Sequence, residues 1–121
     1  MTTTSSREPF LFADKIRKGT HITAMGADTA FKKELDPHIF TKADRIVVDS
    51  LEECSSIGDC SIALKKGLIK QEQVVELGNV ILNPSLRRTS DDQITVVVLT
   101  GLAALDLQIA VAAYERLSNS N

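Results

Sequence analysis

From residue 19 onward the chain alternates short β-branched runs with stretches of helical character, and this alternation most narrows what it can fold into. Three runs read as strands: 21–25, 45–49 and 94–100. The first is closed by Gly26 and delivers Asp28 just beyond its carboxyl end; the second is Arg45-Ile46-Val47-Val48-Asp49; the third is turned by Gly101. Between them lie helix signals. Residues 14–18 read as a short helix ended by Gly19. Asp36-Pro37 places an N-cap before a proline at the first helical position, predicting a helix to about Lys42. Ser50 and Glu53 have capping-box spacing ahead of a helix over 51–56, and a further helix over 59–66 is stopped by Gly67. Residues 68–82 read as a helix or turn closing against the sheet, 83–92 as a polar loop, and 102–117 as a last helix. Strand and helix in strict succession imply an α/β fold with a parallel sheet flanked by helices.

A length of 121 residues predicts one domain over 1–121. With four Phe, one Tyr and no Trp, its core has to be aliphatic, as parallel sheets covered by helices are. A net charge of −2 argues against a nucleic-acid binder, and the pairs Lys32-Lys33, Lys65-Lys66 and Arg87-Arg88 read as scattered solvated faces balanced by acids. Cys54 and Cys60 have neither metal-ligand nor CxxC spacing, so they read as reduced thiols of a cytoplasmic protein with no metal site. No apolar run is long enough to span a membrane. The polar residues 1–6 look like a disordered tail. The last helix is apolar almost all round, which predicts burial on more than one face and, in so small a domain, a contact between subunits.

Open α/β sheets bind ligands at the carboxyl ends of their strands, where Asp28 falls. Beside apolar strand ends its pKa would rise into a range useful for acid–base work; the alternative is a turn residue capping the next helical turn. Lys32 and Glu34 could form a surface ion pair. Thr100-Gly101 suits any strand-to-helix turn, Asp106 should need a partner such as Arg88, and His21 should be a hydrogen-bonded core histidine.

The order and spacing of several blocks go further. They are Thr2-Thr3-Thr4-x-Ser6-Arg7-Glu8-Pro9, Gly19-Thr20-His21-Ile22-x-Ala24-x-Gly26-Ala27-Asp28 and Lys32-x-Glu34-Leu35-Asp36-Pro37, followed by Val47-Val48-Asp49 and Glu76-Leu77-Gly78-x-Val80. Arg88-Thr89-Ser90-Asp91-Asp92-x-Ile94-Thr95 and Thr100-Gly101-Leu102-Ala103-x-x-Asp106, with Ala110 and Tyr114-Glu115, complete the set. Over nearly its whole length the chain resembles the carboxyl-terminal part of the ornithine cyclodeaminase/mu-crystallin family, which includes an archaeal-type alanine dehydrogenase. The resemblance implies the second half of an NAD(P)-binding Rossmann-like domain plus a final strand and helix, without the glycine-rich turn that holds the cofactor's pyrophosphate. It implies NAD as cofactor and Asp28 as the acid/base. It also implies Thr3 and Thr4 near the cofactor's ribose and nicotinamide, Thr100 and Gly101 near the nicotinamide, and Lys32 near a carboxylate substrate. Ala30-Phe31, Val98-Leu99 and Leu105 depart from the family pattern with apolar bulk and put the catalytic pocket in doubt.

The expected function is therefore a truncated domain, inactive alone and homo-oligomeric. One competitor is an enzyme component completed by a separate amino-terminal chain, catalysing NAD-assisted ornithine cyclodeamination or alanine oxidation. Another is a small-molecule binding module using the crevice at Asp28.

Overall fold

The computed structural model describes residues 1–119. Four parallel strands form one sheet in the order β1-β4-β2-β3: β1 His21–Ala24, β2 Arg45–Val48, β3 Val74–Glu76 and β4 Thr95–Val98. The helices are α1 Ile39–Lys42, α2 Leu51–Ser56, α3 Gly58–Lys65, α4 Leu77–Leu82 and α5 Ala103–Ser118. The alternation read from the sequence thus gives the parallel α/β sheet it implies.

Strand periodicity decides what is buried. In register, Ile22, Val96 and Ile46 stand side by side, as do Ala24, Val98 and Val48 one pleat later. These six, together with Leu35, Ile39, Phe40, Cys54, Cys60 and Ala63, make the core. Phe40 is its one aromatic, so aliphatic side chains carry the packing, each fully buried one stabilising by about 2 kcal/mol. The two thiols are free and buried, and burial raises their pKa values to about 11 for Cys54 and about 12 for Cys60, which leaves them unreactive.

Several sequence expectations are corrected. Residues 68–82 contain a strand: Val74–Glu76 pairs with β2, and α4 begins directly after it. Three residues are too few for alternation to show, and only the β2 edge makes them a strand. The predicted helix at 14–18 is a single 3-10 turn, Ala13–Lys15. Asp36 does not cap α1 directly; its carboxylate accepts from the His38 and Ala13 amides at 3.0 and 3.2 Å, so the helix starts later, at Ile39. Of the capping box at α2, the Ser50 half is formed, its hydroxyl accepting from the Glu53 amide at 3.4 Å.

The amino end is not a loose tail. The Thr2 amide donates to the Thr23 carbonyl at 2.8 Å and the Met25 amide to the Thr2 carbonyl at 3.0 Å, so this segment lies parallel along the free edge of β1. Conversely, α5 is not buried within the chain. All its residues are exposed, among them Leu107, Ile109 and Leu117, because nothing in the body of the domain reaches over it. Among the described residues no helix is long and apolar enough to cross a membrane.

Candidate functional site

The carboxyl ends of β1, β2 and β4 meet in a crevice with two lobes that share Met25 and Asp28. One lobe, of about 380 Å³, is lined by Thr3, Thr4, Gly26, Asp28 and Lys32. The other, of about 350 Å³, is lined by Asp28, Asp49, Leu99, Thr100, Gly101 and Asp106. All six residues singled out in the sequence (Thr3, Thr4, Asp28, Lys32, Thr100 and Gly101) are therefore brought to one place.

Asp28 differs electrostatically from expectation. Its carboxylate accepts from the Lys32 ammonium at 2.7 Å, and that hydrogen bond holds its pKa below the ordinary aspartate value rather than above it. The group is exposed, so the desolvation that would raise the pKa is outweighed by the hydrogen bond from the cation four residues on. Asp28 is anionic at neutral pH, able to accept a proton but not to hold one. Lys32 pairs with Asp28, not with Glu34 as its spacing had suggested.

Glu34, read from the sequence as a surface acid, is fully buried. Its carboxylate accepts from the Thr2 hydroxyl at 2.7 Å, the Thr4 hydroxyl at 2.8 Å, the Thr4 amide at 2.5 Å and the Gly26 amide at 2.9 Å. Burial alone would raise its pKa, but these donors outweigh burial and hold it below the ordinary glutamate value. Glu34 thus clamps the Thr segment and the turn that carries Asp28. Gly26 sits so close beneath this clamp that a Cβ there would collide with the Thr4 backbone and the Glu34 carboxylate. Gly26→Ala is expected to destabilise the chain by roughly 2–4 kcal/mol through overpacking and loss of the clamp. Chemical denaturation checks this, together with faster hydrogen exchange at the Met25 amide.

Asp49 does the same for the other lobe. One carboxylate oxygen accepts from the Thr100 and Gly101 amides at 2.9 and 2.8 Å, and the other from the Ser50 amide at 3.0 Å. Gly101 has φ +94°, the left-handed conformation its turn requires. Both amides of the Thr100-Gly101 turn are consequently already occupied. The signal for Asp49 was an acid directly after a β-branched run; for Glu34 it was only its place in the family-like block Lys32-x-Glu34-Leu35-Asp36-Pro37, since by residue chemistry a solvated Glu reads the same.

Asp106 lines the crevice on an exposed stretch of α5, and Arg88 lies instead on the carbonyls of Gly19, Ser90 and Asp91. His21 is hydrogen-bonded, to the Thr95 hydroxyl at 2.6 Å and the Thr23 hydroxyl at 3.1 Å, but is exposed. Of the apolar departures, Val98 is a core residue, Phe31 is 76% exposed, and Leu99 and Leu105 line the crevice. Among the described residues no cluster of His, Cys, Asp or Glu could hold a metal ion.

NAD fits this residue set only in part. Thr3, Thr4, Thr100 and Gly101, which the family resemblance implies near the ribose and nicotinamide, line the crevice. A pyrophosphate needs free amides at a turn or helix start, and at the crevice Asp49 has taken those of the Thr100-Gly101 turn.

The four-stranded parallel sheet flanked by helices matches the Rossmann-like NAD-binding fold of solved relatives. By a family-model match over residues 1–121, the chain belongs to the ornithine cyclodeaminase/mu-crystallin family. It is 43% identical to the alanine dehydrogenase of Archaeoglobus fulgidus over 122 residues, covering 100% of this chain and 38% of that protein. A solved archaeal alanine dehydrogenase dimer with bound NAD superposes with a TM-score of 0.88 at 43% identity, over 99% of this chain and 38% of that one. The iminosuccinate reductase of Paracoccus denitrificans in complex with NAD+ superposes with a TM-score of 0.89 at 39% identity, over 98% and 36%. The chain spans little more than a third of the length of these relatives.

Proposed function

We propose that this chain is the nicotinamide-facing part of an NAD-linked amino-acid or imino-acid enzyme of its family, catalytically inactive by itself and self-associating in the cytoplasm through α5. The observation that carries the reading is the convergence of Thr3, Thr4, Asp28, Thr100 and Gly101 on one crevice whose turn amides are already bound by Asp49. Such a crevice suits the reactive end of a dinucleotide better than its phosphates, for which the Thr100 and Gly101 amides are not free. When bound in a complete site, NAD would supply hydride transfer. Asp28 would take or return the proton at the substrate's α-carbon or nitrogen, and Lys32 would hold both Asp28 and a substrate carboxylate. The apolar surface of α5 supports self-association, since exposed patches of this kind seek cover.

The test is titration of the chain with NADH, followed by fluorescence, alongside sedimentation velocity at micromolar concentration. The reading expects no saturable NADH binding and a species larger than a monomer. Tight NADH uptake with turnover of an amino acid, or a clean monomer, would refute it.

A second reading has a specific basis in length. A chain matching 38% of an alanine dehydrogenase could act with a separate chain that supplies the remainder. The reaction would be cyclodeamination of ornithine or oxidation of alanine. Co-expression with the amino-terminal part of such a relative would then restore NADH production or proline formation, and silence in both assays would remove this alternative.

A further inference from the structure

We propose that a second cleft, on the opposite face of the sheet, binds a small carboxylate with an apolar body. Side chains alternate along a strand, so the residues between the core positions, Val47 and Val97, face away from the helical layer of α1 to α3. Leu77 and Val80 of α4 come over them and leave a cleft of about 250 Å³. It opens at the amino ends of the strands, since His21, Arg45 and Thr95, the first residues of β1, β2 and β4, line it. The crevice at Asp28 lies at the other end.

Its charge is what points to a ligand. Arg45, Arg87 and Arg88 all line this one cleft in a chain of net charge −2, and none of the three forms an ion pair with a described residue. The sequence had suggested that Arg87-Arg88 is balanced by neighbouring acids; Asp44 and Asp91 meet these arginines through main-chain carbonyls only. Arg87 is held by the Val80 and Ile81 carbonyls at 3.1 and 2.7 Å, and Arg88 by the Gly19 and Ser90 carbonyls at 3.1 and 2.9 Å. Carbonyls fix a guanidinium in place without neutralising it. The Arg45 Nε is buried with no hydrogen-bond partner. His21, the remaining titratable group, is engaged by two threonine hydroxyls.

Three fixed guanidinium charges around valine and leucine walls match one ligand chemistry. A planar carboxylate takes two parallel N–H donors from a guanidinium, and an alkyl or aryl body covers the apolar walls. The volume lies just below the usual range for small-molecule sites, so the ligand is small.

Titration of the chain with octanoate, octanol and acetate, followed by methyl and amide NMR shifts, tests this. Octanoate is expected to move Val47, Val80 and Val97 saturably, octanol to bind about tenfold more weakly for loss of a charge-assisted contact, and acetate not at all. Arg45→Met should weaken octanoate by about tenfold and leave octanol unchanged. The octanoate–octanol contrast on the unaltered chain decides the matter even if that variant does not fold. Equal binding of octanoate and octanol, shifts confined to α5, or no shift at millimolar octanoate would each overturn the proposal.

Discussion

Glu34→Ala is expected to lower the unfolding free energy by about 3 kcal/mol and to release residues 2–4 from the sheet. The wild-type carboxylate satisfies four donors from two separate stretches of chain: the Thr2 and Thr4 hydroxyls, the Thr4 amide and the Gly26 amide. Removing the acceptor leaves a cavity and strands these donors, of which the hydroxyls can turn to water while the Gly26 amide cannot readily do so. The effect is legible in two measurements. Urea denaturation reports the stability, and hydrogen exchange at the Met25 amide, which donates to Thr2, reports the release. Glu34→Gln should fall between, because the amide keeps one acceptor oxygen but turns a donor toward donors. Because the Glu34 pKa is lowered by its partners, its contribution is present above the ordinary glutamate range and fades as the pH falls below it. A Glu34→Ala variant as stable as wild type at pH 7 would show that the clamp is not stabilising.

Asp59→Asn is expected to do the opposite and stabilise the chain, by roughly 1–2 kcal/mol at pH 7.5. Asp59 is fully buried in the first turn of α3, where one carboxylate oxygen accepts from the Glu34 and Leu35 amides at 2.9 and 3.1 Å and the other has no partner. Burial pushes its pKa up to about 6, the two amides pull back only part of the way, and the Glu34 charge adds to the rise. A folded-state pKa raised above the unfolded value favours the folded chain fully below about pH 4, and that advantage is lost as the pH climbs through 6. The shift from 3.8 to about 6 corresponds to about 3 kcal/mol, and the unsatisfied donor that Asn introduces at the empty oxygen cancels part of the gain. The variant should therefore gain on wild type between pH 4 and pH 7, the two stability curves crossing within that window. A difference independent of pH would mean that Asp59 is not the titrating group.

Much of the scaffold was legible because periodicity records it. Ile22, Ala24, Ile46, Val48, Val96 and Val98 lie in runs whose β-branched content marks them as strands, and the stops at Gly26, Gly67 and Gly101 are local chemistry. Of the crevice, Asp28 was legible from its place at a strand's carboxyl end, where ligands meet open sheets, while Thr3, Thr4, Lys32, Thr100 and Gly101 were legible only through the family resemblance. What was not legible depends on distance along the chain. Val74 becomes a strand only by pairing with Ile46, and Thr2 becomes ordered only against Thr23, Ala24 and Met25. Glu34 differs from a solvated acid only in what lies around it, and the sign of the Asp28 shift is set by where the Lys32 ammonium comes to rest. A carboxylate in a sequence carries no mark of its partners. The apolar composition of α5 was plain, but composition says only that a surface wants cover, and within this chain none arrives.

The strand order has a consequence for how the molecule comes into being. β4 is the last strand to be synthesised, yet it is the one that β1 and β2 both grip. Until residue 98 has left the ribosome, the earlier strands have no common neighbour, and their free rims stay open to other nascent chains. Closure of the sheet therefore waits for β4 and is paced by long-range pairing, and any change that removes β4 takes out the keystone rather than an appendage.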